Sequence, residues 1–123
     1  FTVNTPMQHG LAAYMADPQA HLELPMFYRC KRDLFRAGLA NTKFKLLPCE
    51  GTYFQCVDIS SLGVPERKLP EADFCLWLTS EIGVAAIPLS AFYGNSFDQH
   101  VVRFCFAKKD ETLNIALERL ARL

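Results

Sequence analysis

Residues 101–106, Val-Val-Arg-Phe-Cys-Phe, place the strongest constraint on the fold of this 123-residue sequence. Side chains alternate between the two faces of a strand, so the even-numbered residues form one apolar row. Arg103 lies on the opposite face, between the flanking Val101 and Cys105. The segment therefore predicts a strand with one face in a core and an arginine on the other face.

Apolar periodicity and turn residues predict the elements around this strand. Thr5 before Pro6 is typical of a helix N-cap, Gly83 of a helix stop, and Asp110 of a cap for the last helix. Pro88 cannot donate to a ladder, so its strand should lie at an edge of the sheet. We expect helices at residues 8–15, 24–41 and 71–82 and from residue 110, strands at residues 44–47, 52–59 and 84–89, and a loop at residues 60–70.

The second predicted helix carries an apolar stripe and a row of three arginines. We expect Arg29, Arg32 and Arg36 to be solvated. The residues expected to face the core are Phe27, Cys30, Leu34 and Ala37.

The order of elements predicts a mixed α/β (α+β) fold. So small a sheet, of three or four mostly antiparallel strands, can be covered by helices on one face only. The result is a two-layer sandwich, and its second sheet face needs cover from another domain.

Composition excludes several functional classes. Thirteen Lys and Arg residues balance thirteen Asp and Glu residues, so charge gives no reason to expect nucleic acid or an anionic membrane as a partner. The five cysteines include no CxxC pair and, with the scattered histidines, predict no metal site. Cys30, Cys75 and Cys105 lie in apolar patterns, which indicates buried free thiols in a reducing cytoplasm.

Arg103 is the candidate functional residue. Its planar guanidinium can bind a carboxylate through two parallel hydrogen bonds. The alternatives are an arginine on the wet face of an edge strand, or one paired with an internal Asp or Glu.

The sequence shows no nucleophile elbow, phosphate loop or metalloprotease motif. Lys43, Lys45, Lys108 and Lys109 lie at element ends and should be solvated, unlike a Schiff-base lysine. Gly51 is either a turn glycine or a position of positive φ or close backbone approach to a ligand.

Four strings in this order resemble the C-terminal portion of class I aminotransferases of the aspartate-aminotransferase fold. The resemblance covers the whole chain and is strongest to the branch of bacterial methionine aminotransferases, kynurenine aminotransferases and cysteine-conjugate β-lyases. The strings are FTVNTPMQ at residues 1–8, LPCEGTYF at 47–54, GVAAIPLSAF at 83–92 and VRFCFAK at 102–108.

The resemblance implies a role for three residues and a cofactor held elsewhere. Arg103 corresponds to the arginine that binds the substrate α-carboxylate, and Phe1 to an aromatic from the neighbouring subunit that lines the side-chain pocket. Gly51 lies in a stretch that borders the substrate. Pyridoxal 5′-phosphate and its lysine belong to a large domain that we expect to precede Phe1, so this chain alone should be inactive.

We therefore expect residues 1–20 to be the end of the large domain or a lead-in helix, and residues 21–123 to be the small domain. The intact enzyme should be a homodimer that transfers the amino group of methionine or aromatic amino acids to a 2-oxo acid. The alternatives are β-elimination of cysteine conjugates on the same fold, and a non-catalytic interaction module.

Overall fold

In residues 2–123, which this computed structural model describes, five α-helices and four short strands form the architecture. The order of helices and strands agrees with the sequence prediction except for the four-residue helix at Gln19–Leu22, which was not predicted. The elements are α1 Thr5–Tyr14, α2 Gln19–Leu22, α3 Leu24–Leu39, β1 Lys45–Leu46, β2 Phe54–Asp58, α4 Glu71–Trp77, β3 Ile87–Pro88, β4 Val101–Cys105 and α5 Asp110–Leu120.

The four strands form one open antiparallel sheet in the order β1-β2-β4-β3. Strand β4 lies inside the sheet between β2 and β3. Strand β3 lies at an edge, as Pro88 requires, and it is only two residues long. The predicted small antiparallel sheet is confirmed.

One apolar core lies between the sheet and the helices α3, α4 and α5. The even-numbered row of β4 faces this core, and Phe104 is 2% exposed. Its ring meets the rings of Phe35 and Phe44 edge-on at centroid distances of 5.9 and 5.8 Å. This confirms the predicted alternation along β4 and the two-layer arrangement.

The predicted stripe on α3 is wrong for three of its four residues, while Leu34 is half-buried against the core. Phe27, Cys30 and Ala37 are exposed, and the buried residues of this helix are Phe35 and Leu39. Gly38 explains why α3 buries a different face from the predicted one. Helix α5 packs so closely there that a Cβ at Gly38 would come within 2.4 Å of the Leu117 side chain. The close approach of α5 turns the Gly38 side of α3 inward.

Several element ends also differ from prediction. Asn4, one residue before Thr5, caps α1 through a bond from the Met7 amide at 3.3 Å. Asp110 does not cap α5, since its carboxylate lies 2.5 Å from the Lys31 ammonium on α3. The predicted loop at residues 60–70 contains the 3-10 helix Pro65–Lys68, and α4 continues as a π-helical segment, Leu78–Ile82.

Gly83 ends that segment with φ of +73°, so the predicted glycine stop is confirmed. We expect Gly83→Ala to destabilise the fold by about 1–2 kcal/mol, because L-residues disfavour left-handed backbone. The added Cβ would also meet the Arg119 guanidinium at 2.4 Å. Urea unfolding measures the change. Gly94→Ala is the control, since Gly94 has open space around its Cβ position, and equal losses in both variants would contradict the prediction.

Candidate carboxylate-binding site

Arg103 lies at the middle of β4, on the sheet face opposite the core. Its cross-strand neighbours are Cys56 on β2 and Ile87 on β3. The side chain is half-buried. Since β4 has a strand on each side, Arg103 is not on an edge strand, which removes one of the alternatives for this residue.

Two aromatic rings hold the Arg103 guanidinium. Its Cζ atom lies 4.3 Å from the ring centroid of Phe54 on β2 and 4.9 Å from that of Phe92. Phe92 ends the 3-10 helix Leu89–Phe92, in the segment between β3 and β4. Each ring attracts the guanidinium. Because the rings come from different segments, together they restrict the directions in which the Arg103 side chain can point.

No acidic side chain neutralises Arg103 in the part of the chain that the structure describes. The four ion pairs among residues 2–123 leave it out. Asp58, which shares this face of β2, accepts a hydrogen bond from the Ser60 amide at 2.8 Å and lies 3.9 Å from the Lys45 ammonium. A half-buried guanidinium between aromatic rings, with its charge uncompensated, is suited to a carboxylate ligand.

Cys56, directly across from Arg103, has its pKa raised by burial and by Cys49, while the nearby guanidinium opposes the rise. Burial also raises the pKa of Cys75 to about 12, with a further contribution from the charge of Glu71. Neutral thiols are poor nucleophiles, so neither cysteine is suited to covalent catalysis. Cys75 is buried and Cys105 half-buried, but Cys30 is exposed, against prediction, because it lies on the outer side of α3.

Gly51 does not provide a positive φ. The left-handed residue of this turn is Thr52, with φ of 66°, so that part of the expectation is wrong. The backbone takes the strain at Thr52, whose Oγ1 atom accepts a bond from the Phe54 amide at 3.4 Å. Gly51 is exposed, with no atom within 4 Å of its Cβ position.

Gly51 lines a cleft of about 460 Å³ between the start of α3 and the turn at residues 50–53. Arg103 is not among the residues that line this cleft. Phe1, the third candidate, lies outside the described residues. The structure therefore does not place Arg103 in the cleft that Gly51 lines.

Arg32 and Arg36 are half-buried and bind backbone carbonyls, which corrects the prediction that this row is solvated, although Arg29 is exposed. Arg32 donates to the Cys49 carbonyl at 3.2 Å, and Arg36 donates to the Leu47 carbonyl at 3.0 Å and to Gln55 Oε1 at 2.5 Å. The two arginines fix the segment that leads into Phe54. Their four-residue spacing places them on one side of α3, next to its buried face, and this spacing could have indicated their burial from the sequence.

The lysines do not provide a site for an aldehyde cofactor. Lys43, Lys45, Lys108 and Lys109 are exposed, as expected. Lys31 has a side chain only 14% exposed, but it is paired with Asp110 and lies over the Phe27 ring. Residues 2–123 contain no cluster of His, Cys, Asp or Glu that could hold a metal ion. Within the same range, no helix is both long and apolar enough to cross a membrane.

Comparison with known proteins gives matches along the whole chain. The family model for "Aminotransferase class I and II" matches residues 1–120. Methionine aminotransferase of Escherichia coli K12 is 49% identical over all of this chain and 31% of its own length. Kynurenine–oxoglutarate transaminase 3 of Rattus norvegicus is 35% identical, over 96% of this chain and 30% of its own.

A solved structure gives the same result. YbdL from Escherichia coli, whose structure and reactivity identify a methionine aminotransferase function, superimposes with a TM-score of 0.86 at 49% identity. The superposition covers 99% of this chain and 32% of that one. The chain thus spans about a third of the length of the curated relatives it matches.

Proposed function

This chain belongs to the class I and II aminotransferases, and from that premise we propose that it forms the substrate-carboxylate side of a pyridoxal-phosphate-dependent active site. The observation that carries the proposal is Arg103, stacked between Phe54 and Phe92 without an acidic partner among residues 2–123. In this role Arg103 binds the α-carboxylate of the amino-acid substrate.

The geometry supports orientation of the substrate as the contribution of this chain. The Phe54 and Phe92 rings restrict the guanidinium, and its two parallel N–H groups then fix the plane of the bound carboxylate. Fixing that plane restricts rotation of the substrate about the bond to its α-carbon, where the reaction takes place.

Pyridoxal phosphate would supply an acceptor for the amino group and a sink for the electrons released at the α-carbon. The described residues do not fit this cofactor, because the lysines are exposed or paired. We therefore assign the cofactor and its lysine to the part of the enzyme outside this chain.

The remaining assignments belong to the same proposal. Residues 1–20 are the end of the large domain or a helix that leads into the small domain of residues 21–123, and the absence of any buried residue in α1 as described supports this assignment. Phe1 lines the side-chain pocket of the other subunit in a homodimer, and Gly51 borders the substrate. The enzyme is cytoplasmic, in line with free cysteines.

An assay of the intact enzyme tests the proposal. It measures transfer of the amino group from methionine, phenylalanine and tyrosine to a 2-oxo acid, beside release of pyruvate from a thioether conjugate of cysteine. Transfer from methionine or an aromatic amino acid is the expected result. Pyruvate release alone would favour β-elimination, and no reaction with any of these substrates would contradict an enzymatic role.

We also expect residues 1–123 alone to form no specific adduct with pyridoxal phosphate. The physical reason is that the exposed lysines have no buried surroundings that would favour one of them, and Lys31 is held in an ion pair. Borohydride reduction followed by mass spectrometry measures the adduct, and the intact enzyme is the positive control. One lysine modified to completion in the isolated chain would contradict the assignment of the cofactor to the rest of the enzyme.

A further inference from the structure

Glu71, the first residue of α4, is a fully buried carboxylate that the sequence analysis did not identify. Its side chain accepts three backbone hydrogen bonds. Oε2 accepts from the Ser90 amide at 2.5 Å, and Oε1 accepts from the amides of Gln99 and Val101 at 2.9 Å each. The donors come from both ends of residues 90–101, which cover most of the connection from β3 to β4 and the first residue of β4. One carboxylate therefore closes this segment into a loop.

A second carboxylate ties the same loop to α4. Asp98 Oδ2 accepts from the Glu71 amide at 2.8 Å, and Asp98 Oδ1 accepts from the His100 amide at 2.8 Å. Burial favours the neutral form of Asp98, but these hydrogen bonds from His100 and Glu71 outweigh it and lower the pKa of Asp98. Asp98 thus binds the backbone amide of Glu71, and Glu71 binds the amide of Gln99, the residue after Asp98.

The compensation of the Glu71 charge is unusual. Buried carboxylates are normally paired with a cation, but none of the ion pairs among residues 2–123 includes Glu71. Its hydrogen-bond partners are backbone amides of a single loop. These hydrogen bonds therefore fix the position of the loop relative to α4.

The connection between β3 and β4 carries one of the two aromatic rings that lie over the Arg103 guanidinium. Ser90 belongs to the same 3-10 helix as Phe92, whose ring lies 4.9 Å from the Arg103 guanidinium. Val101 begins β4, two residues before Arg103. The three hydrogen bonds to Glu71 thus hold both the ring over the guanidinium and the start of the strand that carries it.

We propose that Glu71 is a positioning residue for Arg103, which it orients toward the substrate carboxylate by holding the loop that carries Phe92. The inference rests on the proposed function of Arg103 and adds a residue to it. Glu71 touches neither substrate nor cofactor, and its effect reaches the reaction through Ser90, Phe92 and Arg103.

Glu71→Gln separates positioning from packing. A carboxamide has nearly the shape of a carboxylate, but it offers one acceptor oxygen and an NH₂ group. It can accept from Ser90, or from Gln99 and Val101, but not from both groups, because its NH₂ would face backbone N–H donors. The variant therefore keeps the volume of the core and releases one end of the loop.

The experiment uses the intact enzyme with its cofactor and two competitive inhibitors. The carboxylate inhibitor is the analogue of methionine without its amino group, or that of phenylalanine if the assay selects an aromatic substrate. The alcohol inhibitor is the same molecule with a primary alcohol in place of the carboxylate. We expect Glu71→Gln to weaken the carboxylate inhibitor by about tenfold and the alcohol inhibitor by less than about twofold.

Controls and a second variant keep the test decisive. Glu81→Gln is the same exchange at an exposed site beside α4 and should change neither inhibition constant. In an Arg103→Ala background, Glu71→Gln should produce no further loss for the carboxylate inhibitor. Phe92→Leu, at a residue 60% exposed, leaves the core intact and should weaken the carboxylate inhibitor by about threefold, even if Glu71→Gln does not fold.

Equal weakening of both inhibitors by Glu71→Gln would show a structural role only and overturn the inference. So would an unchanged carboxylate constant in both Glu71→Gln and Phe92→Leu. If Arg103→Ala itself leaves the preference for the carboxylate inhibitor intact, Arg103 does not bind the carboxylate, and both the proposed function and the role of Glu71 are wrong. If Arg103→Ala removes that preference and the Glu71 and Phe92 variants keep it, only the positioning role fails.

Discussion

Replacing Arg103 with alanine should lower kcat/KM of the intact enzyme for its amino-acid substrate by about 30- to 1,000-fold. This range corresponds to ~2–4 kcal/mol for the loss of a charge-assisted bidentate pair. Arg103 carries the only charge in the cage formed by the Phe54 and Phe92 rings as described. Without it, a substrate carboxylate would enter aromatic surroundings unpaired. Steady-state kinetics over a range of substrate concentrations measure the loss.

Arg103→Lys should recover only part of this activity. An ammonium is a point charge without the planar fork, so it cannot fix the plane of the carboxylate. Arg122→Ala is the matched control, because Arg122 is an exposed arginine in the turn after α5. Wild-type efficiency in Arg103→Ala would exclude Arg103 from substrate binding.

Replacing Phe104, the next residue on β4, should affect the stability of the fold rather than substrate binding. We expect Phe104→Ala to destabilise the fold by about 3–5 kcal/mol, since it deletes a fully packed ring and leaves a cavity. The ring is 2% exposed and meets Phe35 of α3 and Phe44 edge-on. Few single substitutions in this core should cost more.

Chemical denaturation of the chain measures this loss. Leu76→Ala is the control, because Leu76 is 70% exposed on α4 and should change stability by less than about 0.5 kcal/mol. Arg103→Ala should cost about 1 kcal/mol through the two ring contacts. A loss below about 1 kcal/mol in Phe104→Ala would contradict the assigned core.

The parts of the fold that depend on local rules could be predicted from the sequence. Alternation along β4 separated Phe104 from Arg103, and the missing N–H of Pro88 placed β3 at an edge. Gly83 had the left-handed backbone expected at a helix end. In each case a property of the residue itself, side-chain direction, donor count or φ preference, determined the outcome.

Long-range packing explains the errors. Helix α3 has two apolar faces, and the approach of α5 against Gly38 selected the face with Phe35. Arg32 and Arg36 resembled solvated residues because their acceptors, carbonyl groups at residues 47 and 49, lie far away in sequence. Such choices depend on elements that periodicity within one helix does not describe.

The site was predictable only in part for the same reason. Arg103 broke an apolar pattern and was visible in the sequence. Phe92 reaches Arg103 only because the connecting loop folds back, and Glu71 holds that loop from 19 residues before Ser90. A glutamate in the first turn of a helix is common, so the sequence alone does not distinguish Glu71. Its burial and its three bonds from backbone amides are visible only in the folded structure.

The central claim is that the Arg103 guanidinium recognises a carboxylate, and the ratio of two inhibition constants tests it most directly. The wild-type intact enzyme should bind the carboxylate inhibitor about 30- to 1,000-fold more tightly than the alcohol inhibitor. In Arg103→Ala the two inhibitors should bind with nearly equal constants. A preference for the carboxylate that survives in Arg103→Ala would contradict the claim.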